Sequence, residues 1–194
     1  MTTEPTSTVH DVQGQPIGAA AADITKEPDL PKAMRGRSFT MSADMETLKM
    51  DRQLKVGRFR DFEFYCDEPH YLGGDDEYPQ PLTYLAAGVG FCLLTQVQRV
   101  ASMLRTTFTR AECRCEFDTY QDGSARAGTL SATVTEFRIH LDVDSPEEPD
   151  VIADVIRLAT NSCFAEALVR EPIPLRHIVT VNGAPFPVEE APTR

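Results

Sequence analysis

Basic residues are scarce in this chain: 19 lysines and arginines face 30 acids, a formal charge of −11 over 194 residues. A nucleic-acid binder needs a basic face to neutralise phosphate, so that class is excluded, and docking on an anionic membrane is disfavoured likewise. Long apolar runs are also missing. The longest uncharged stretch, Pro79 to Gln98, is interrupted by Gln80, Thr83, Gly88, Gly90 and Thr95, which argues against a membrane span. Met1–Pro16 has neither a basic n-region nor an apolar h-region, so no secretory leader is expected and the chain reads as cytoplasmic. There is no P-loop, no G-x-S-x-G elbow and no dinucleotide fingerprint, because Gly88-Val-Gly90 lacks the third glycine.

What is present suffices for one domain. Hydrophobic residues make up 41%, enough for a single core at this length. Residues 1–34 are rich in Thr, Pro, Gln, Ala and acids, and read as a mobile N-terminal extension. Residues 35–183 form the domain. Residues 184–194, with Pro185, Pro187 and Pro192, read as an irregular C-terminal tail.

Within the domain, Ser38–Met45 and Gln53–Tyr65 look extended, although Phe59 breaks the alternation of the second. A turn-rich stretch follows, from Cys66 to Pro79. One long helix is expected from about Leu82 to Leu104, its first half apolar all round and therefore buried on every side. Gly88 and Gly90 weaken it and suggest close approach of another backbone, as at a symmetry mate. Thr109–Tyr120 and Gly128–Val143 read as a hairpin turning at Gln121–Ser124. Ser145-Pro-Glu-Glu then signals a helix start. Val155, Ile156, Ala159, Cys163 and Ala167 line one face of a helix running to about Val169, and Leu175–Val181 closes as a final strand. The order is α+β, with an antiparallel sheet rather than a parallel one.

The five cysteines are an odd number in a chain of this kind, so a disulfide framework is not expected. Cys113 and Cys115 are expected to point to opposite faces of their strand, poorly placed to share a metal. Cys66 ends a strand. Cys92 lies in the uncharged half of the long helix and Cys163 on the apolar face of the second, where each also reads as a small core residue. If the helices pack together, their sulfurs approach disulfide range. His10, His70, His140 and His177 show no ligand spacing, and His140 and His177, both read in strands, are expected to be hydrogen-bonded or exposed.

The segment Asp67-Glu-Pro69, Gly73-Gly74, Pro81, helix and Cys92 resembles the OsmC/Ohr family of thiol peroxidases. Asn161-Ser-Cys163-Phe, followed by Ile178-Val-Thr-Val-Asn-Gly183, is similar to that family's second cysteine element, so the likeness spans about Arg35 to Gly183. The resemblance implies an intertwined dimer of α+β subunits with sites at the interface, and no cofactor or metal. It implies that Cys92 attacks an organic hydroperoxide or hydrogen peroxide and becomes a sulfenic acid. Cys163 would then condense with it to a disulfide, which an external dithiol reduces.

A thiolate so far from a helix N-terminus needs a cation, and the resemblance implies an arginine from the N-terminal strands held by a glutamate. Arg60 is the leading candidate, with Arg58 on the same face and Arg37 behind it. Leu82 and Thr83 stand where the family has the glutamate, with Asp75, Asp76 and Glu77 near by, and Phe164 stands where many members have proline. The alternative reading is a non-enzymatic member of the fold that binds a small ligand or senses redox state.

Overall fold

The computed structural model describes residues 38–188, so the N-terminal extension, Arg37 and residues 189–194 lie outside it. An N-terminal sheet comes first, with strands β1 (Asp44–Thr47), β2 (Lys55–Phe59) and β3 (Phe62–Cys66) in antiparallel order. The single extended stretch expected over Gln53–Tyr65 is thus a tight hairpin. Phe59 pairs with Phe62, and Arg60 between them takes a left-handed φ of 54°. That turn explains the broken alternation at Phe59. It also corrects the shared face of Arg58 and Arg60, since Arg60 is not in a strand.

The long helix α1 runs Pro81–Leu104. Pro81 occupies its first turn, where a missing N–H costs nothing. Arg105 ends it in the left-handed region, and Thr106 donates both N–H (2.9 Å) and Oγ1 (3.1 Å) to the Ala101 carbonyl. Leu93, Val97, Val100 and Ala101 of α1 form the core with Phe108, Val155, Ala159 and Cys163. The expectation of burial on every side is corrected: Leu82, Leu85 and Phe91 are exposed on the opposite face.

Strands β4 (Arg110–Asp122) and β5 (Ser131–Asp144) make a long ribbon with a bulge at Asp118/Thr119, and its inner face packs on α1. Ser145 does not cap a helix. Its hydroxyl donates to the Thr107 carbonyl at 2.6 Å, and α2 (Pro149–Asn161) begins four residues later. The second helix is broken rather than continuous, with α3 spanning Phe164–Arg170. Finally β6 (Val179–Val181) and β7 (Ala184–Phe186) close a small hairpin through Asn182 and Gly183, both at positive φ. Strand therefore replaces the irregular tail at its first three residues, and Leu175–Ile178, with His177, lies before the strand.

Among the described residues, no helix is long and apolar enough to cross a membrane.

Candidate functional site

Cys92 sits midway along α1 at the rim of the core, half-buried and packed against the cluster that contains Cys163. Cys163 itself is 1% exposed. It does not ride on a helix face as the periodicity suggests; it is the extended residue that precedes α3, with φ −80° and ψ 107°. The break arises because the Ser162 hydroxyl is shared between the Ala159 carbonyl (3.1 Å) and Oε1 of the buried Gln96 (3.3 Å). A polar residue of α1 thus contacts the junction next to Cys163. Cys92 packs against the cluster that buries Cys163, the two thiols influence each other electrostatically, and both are free.

The electrostatics differ across the site. Burial pushes the Cys163 thiol up to about 11; the Glu166 backbone N–H opposes this, while the Cys92 thiol and the Glu166 carboxylate add to it. Such a group stays protonated at neutral pH, which suits a resolving thiol better than an attacking one. Glu166 was not anticipated from sequence, and its only signal is a lone acid within Phe164-Ala-Glu-Ala-Leu-Val169. Burial pushes its carboxyl up against the influence of Arg170 and Cys163, and its Oε1 is buried without a hydrogen-bond partner among the described residues.

Cys113 and Cys115 bring a correction. Side chains two apart on a strand share a face, and their sulfurs are 3.7 Å apart on the inner side of β4. Gly90 of α1 lies over them, a Cβ there meeting the Cys115 Sγ at 3.4 Å and the Cys113 Sγ at 3.6 Å. The close approach that Gly90 permits is therefore to thiols rather than to a backbone. Burial pushes the Cys115 thiol up to about 12, helped by Cys113, Glu166 and Cys163. Cys66 is remote in role, its thiol raised by burial and weakly directed at the Asp67 carbonyl.

Of the candidate arginines, the two among the described residues, Arg58 and Arg60, are not gathered at the thiols. Arg60 is exposed in the β2–β3 turn, its guanidinium 4.9 Å over the Phe59 ring. Arg58 pairs with Glu46 (2.9 Å) and Glu63 (3.1 Å). Neither bonds to Cys92 or Cys163 among the described residues. The carboxylate near the helix start engages a different arginine: Asp75 pairs with Arg52 at 3.1 Å. The loop itself is organised by the buried Asp67, which accepts backbone N–H bonds from Glu68 (2.8 Å), Asp75 (3.0 Å) and Glu77 (3.3 Å). Burial opposes its ionisation, yet these donors and Lys55 hold the carboxyl below its usual range.

His140 contacts Glu116 at 3.4 Å and His70 contacts the Gly74 carbonyl at 3.1 Å. No group of three or more metal-ligating side chains gathers among the described residues. A mainly apolar pocket of about 400 Å³ flanks Cys163, bounded by Phe39, Gln96, Arg99, Met103, Ser162 and Phe164. Phe39 and Phe164 meet edge to face at 5.6 Å across it.

The class defined by these features is a mixed helix and antiparallel-sheet domain whose long helix seats one thiol at the rim of the core that buries a second. A model of the OsmC-like protein family matches residues 74–177, more than half of the chain, and the protein belongs to that family. An OsmC-like hydroperoxide resistance protein from Jannaschia sp. CCS1 superposes with TM-score 0.52 at 20% identity, over 69% of this chain and 87% of its own. An OsmC-like protein from Mycoplasma pneumoniae gives TM-score 0.56 at 16% identity, over 69% and 89%. An organic hydroperoxide resistance protein OsmC from Legionella pneumophila gives 0.53 at 14%, over 69% and 92%. At these identities the structural likeness establishes the fold. Among curated proteins no match is found.

Proposed function

We propose that this protein is a thiol-dependent hydroperoxide reductase in which Cys92 attacks and Cys163 resolves. The observation that carries this reading is the seating of Cys92, from α1, against the core cluster that contains Cys163, at the junction before α3. The Cys92 thiolate attacks the terminal peroxide oxygen, the O–O bond breaks, and the alcohol or water leaves with a proton. Cys92 becomes a sulfenic acid. Cys163 then displaces its oxygen as water, forming the Cys92–Cys163 disulfide, and an external dithiol restores both thiols by exchange. No bound cofactor is needed, because the dithiol supplies the electrons. The pocket lined by Ser162 and Phe164, the neighbours of Cys163, is apolar apart from Arg99 and the Gln96–Ser162 pair, in keeping with an organic hydroperoxide that reaches Cys92 from this side of α1. Five free cysteines fit a reducing compartment such as the cytoplasm.

The active form is a homodimer. Met41, Met45 and Phe62 of the N-terminal arm and Leu82 and Leu85 of α1 expose apolar surface that a monomer would normally cover. The arm meets its own α1 at Tyr84, whose hydroxyl donates to the Tyr65 carbonyl at 2.5 Å. An arm so placed is free to lay its β2–β3 turn, with Arg60, against a partner's thiols.

Replacing Cys92 by Ser abolishes peroxide consumption, whereas Cys163→Ser permits a single turnover that stops at the sulfenic acid. A Cys92→Ser variant that keeps the wild-type rate overturns the reading. One observation favours the alternative, a non-enzymatic binding or redox-sensing role: among the described residues no arginine pairs with either thiol. A Cys92 thiol that titrates well above neutrality, with no disulfide formed by stoichiometric peroxide, would establish that alternative.

A further inference from the structure

We propose that Cys113 and Cys115 form a second redox-active dithiol that takes the oxidising equivalent from the Cys92–Cys163 disulfide. The proposal rests on the peroxidase reading above but concerns residues to which that reading gives no role. Three observations carry it. The two sulfurs are 3.7 Å apart on one strand face. Cys113 packs against the same core cluster as Cys92, the cluster that contains Cys163. A cleft of about 350 Å³ between Thr83, Ala87, Gly90 and Leu94 reaches both Cys113 and Cys115, on a side of α1 distinct from the pocket beside Cys163.

Strand geometry permits the bond only with a local bend. Residues two apart on an extended strand are separated by roughly 6.6–6.8 Å, the upper end of the usual Cα separation of a disulfide but well beyond its Cβ separation of about 3.8 Å. The sulfurs start 3.7 Å apart, and β4 must fold in at Arg114 for the bond to close. The thiols are also linked electrostatically, since Cys163 and Glu166 both act on Cys115.

The exchange balances without an outside oxidant. The Cys113 thiolate attacks the Cys163 sulfur, the Cys92–Cys163 bond breaks, and Cys92 leaves as a thiolate. The Cys115 thiolate attacks the Cys113 sulfur of that mixed disulfide, and Cys163 leaves as a thiolate. Cys113 and Cys115 end oxidised and joined. Cys92 and Cys163 end reduced, taking up the two protons that the attacking thiols released. Cys92 is then ready for a second peroxide before any external dithiol arrives.

The test counts thiols in the full chain, reduced, freed of reductant and titrated with tert-butyl hydroperoxide. Wild type is expected to lose four of its five thiols over two equivalents, with a Cys113–Cys115 link in non-reducing peptide maps. The Cys113→Ser/Cys115→Ser variant is expected to lose two over one equivalent. A wild-type chain that stops at two, with Cys113 and Cys115 fully alkylatable, overturns the proposal. So does a Cys113–Cys115 link that forms equally fast in Cys92→Ser, because the equivalent then bypasses Cys92.

A second arm separates this from failure of the peroxidase reading. The thiol oxidant diamide replaces the peroxide on the Cys92→Ser/Cys163→Ser variant. A Cys113–Cys115 link there supports the dithiol even if wild type ignores peroxide. Its absence there overturns the dithiol whatever the peroxide arm shows.

Discussion

The two faces of the β4–β5 ribbon carry opposite chemistry on the same backbone. Outward, Arg110 is held by Glu112 (3.1 Å), Asp142 (2.7 Å) and Asp144 (2.7 Å). Arg138 is held by Glu116 (3.0 Å), Asp118 (2.6 Å) and Glu136 (2.5 Å). Inward, Cys113 and Cys115 oppose Leu141 and Ile139, and the nearby acid is Glu166. The acidic chain thus commits these arginines to solvent-facing carboxylates and leaves its thiols among apolar groups and one another. Burial without a cation raises a thiol pKa, as at Cys115 and Cys163. Fold and reactivity therefore have separate sources: apolar packing places the thiols, and any activating charge must come from outside this core.

Changes on the inner face should have the largest effects. Phe108→Ala, at a residue 1% exposed between α1 and α2, should cost about 3–5 kcal/mol, measured by urea unfolding. Gly90→Leu would drive a side chain into the two sulfurs over it and should cost about 1–3 kcal/mol. Gly90→Ala, meeting ordinary contact distances, should be far milder. If the two changes prove equal, the close seating of α1 on Cys113 and Cys115 is wrong.

Two carboxylates sharpen the contrast through pH. The Glu166 carboxyl is raised, chiefly by burial, so the fold binds its proton more tightly than the unfolded chain. Its contribution is fully present below the unfolded value, about 4.3, and is lost as pH rises through the folded one. Glu166→Gln should therefore remove a loss of stability that wild type suffers above about pH 4.3. Asp67 runs the other way. Burial opposes its ionisation, but its backbone donors outweigh that and depress the folded value, so its contribution exists above about 3.9 and disappears as pH falls through that lower value. Asp67→Asn should blunt the acid limb of the stability profile and leave the limb above neutrality unchanged.

The smallest effect belongs to the outer face. Arg138→Ala removes surface ion pairs, of which only that to Glu116 is half-buried, so it should lower the melting temperature slightly at low salt. That difference should vanish by about 0.5 M salt, where exposed charges are screened.

Much of this was legible in the sequence, and the remainder was hidden for physical reasons. The uncharged run from Tyr84 to Leu94 announced α1, and Asn182-Gly183 announced the turn that closes the last hairpin. The α2–α3 break carries no proline or glycine. It depends on Ser162 reaching Gln96 in another helix, a tertiary contact that periodicity cannot express. The β2–β3 turn has no glycine either, since Arg60 itself takes positive φ. The Cys113/Cys115 spacing was in plain view, because a period of two already places both thiols on one face. Glu166 and the Arg52–Asp75 pair depend on burial and folding, which residue order alone does not reveal.

The central claim is that Cys92 and Cys163 act as one redox pair, and disulfide mapping tests it most directly. The Cys113→Ser/Cys115→Ser variant removes the second dithiol and leaves that pair intact. One equivalent of tert-butyl hydroperoxide should link the Cys92 and Cys163 peptides in this variant and leave Cys66 alkylatable. A Cys92 thiol that remains free after the peroxide is added, or a link that joins Cys66 instead, would contradict the account.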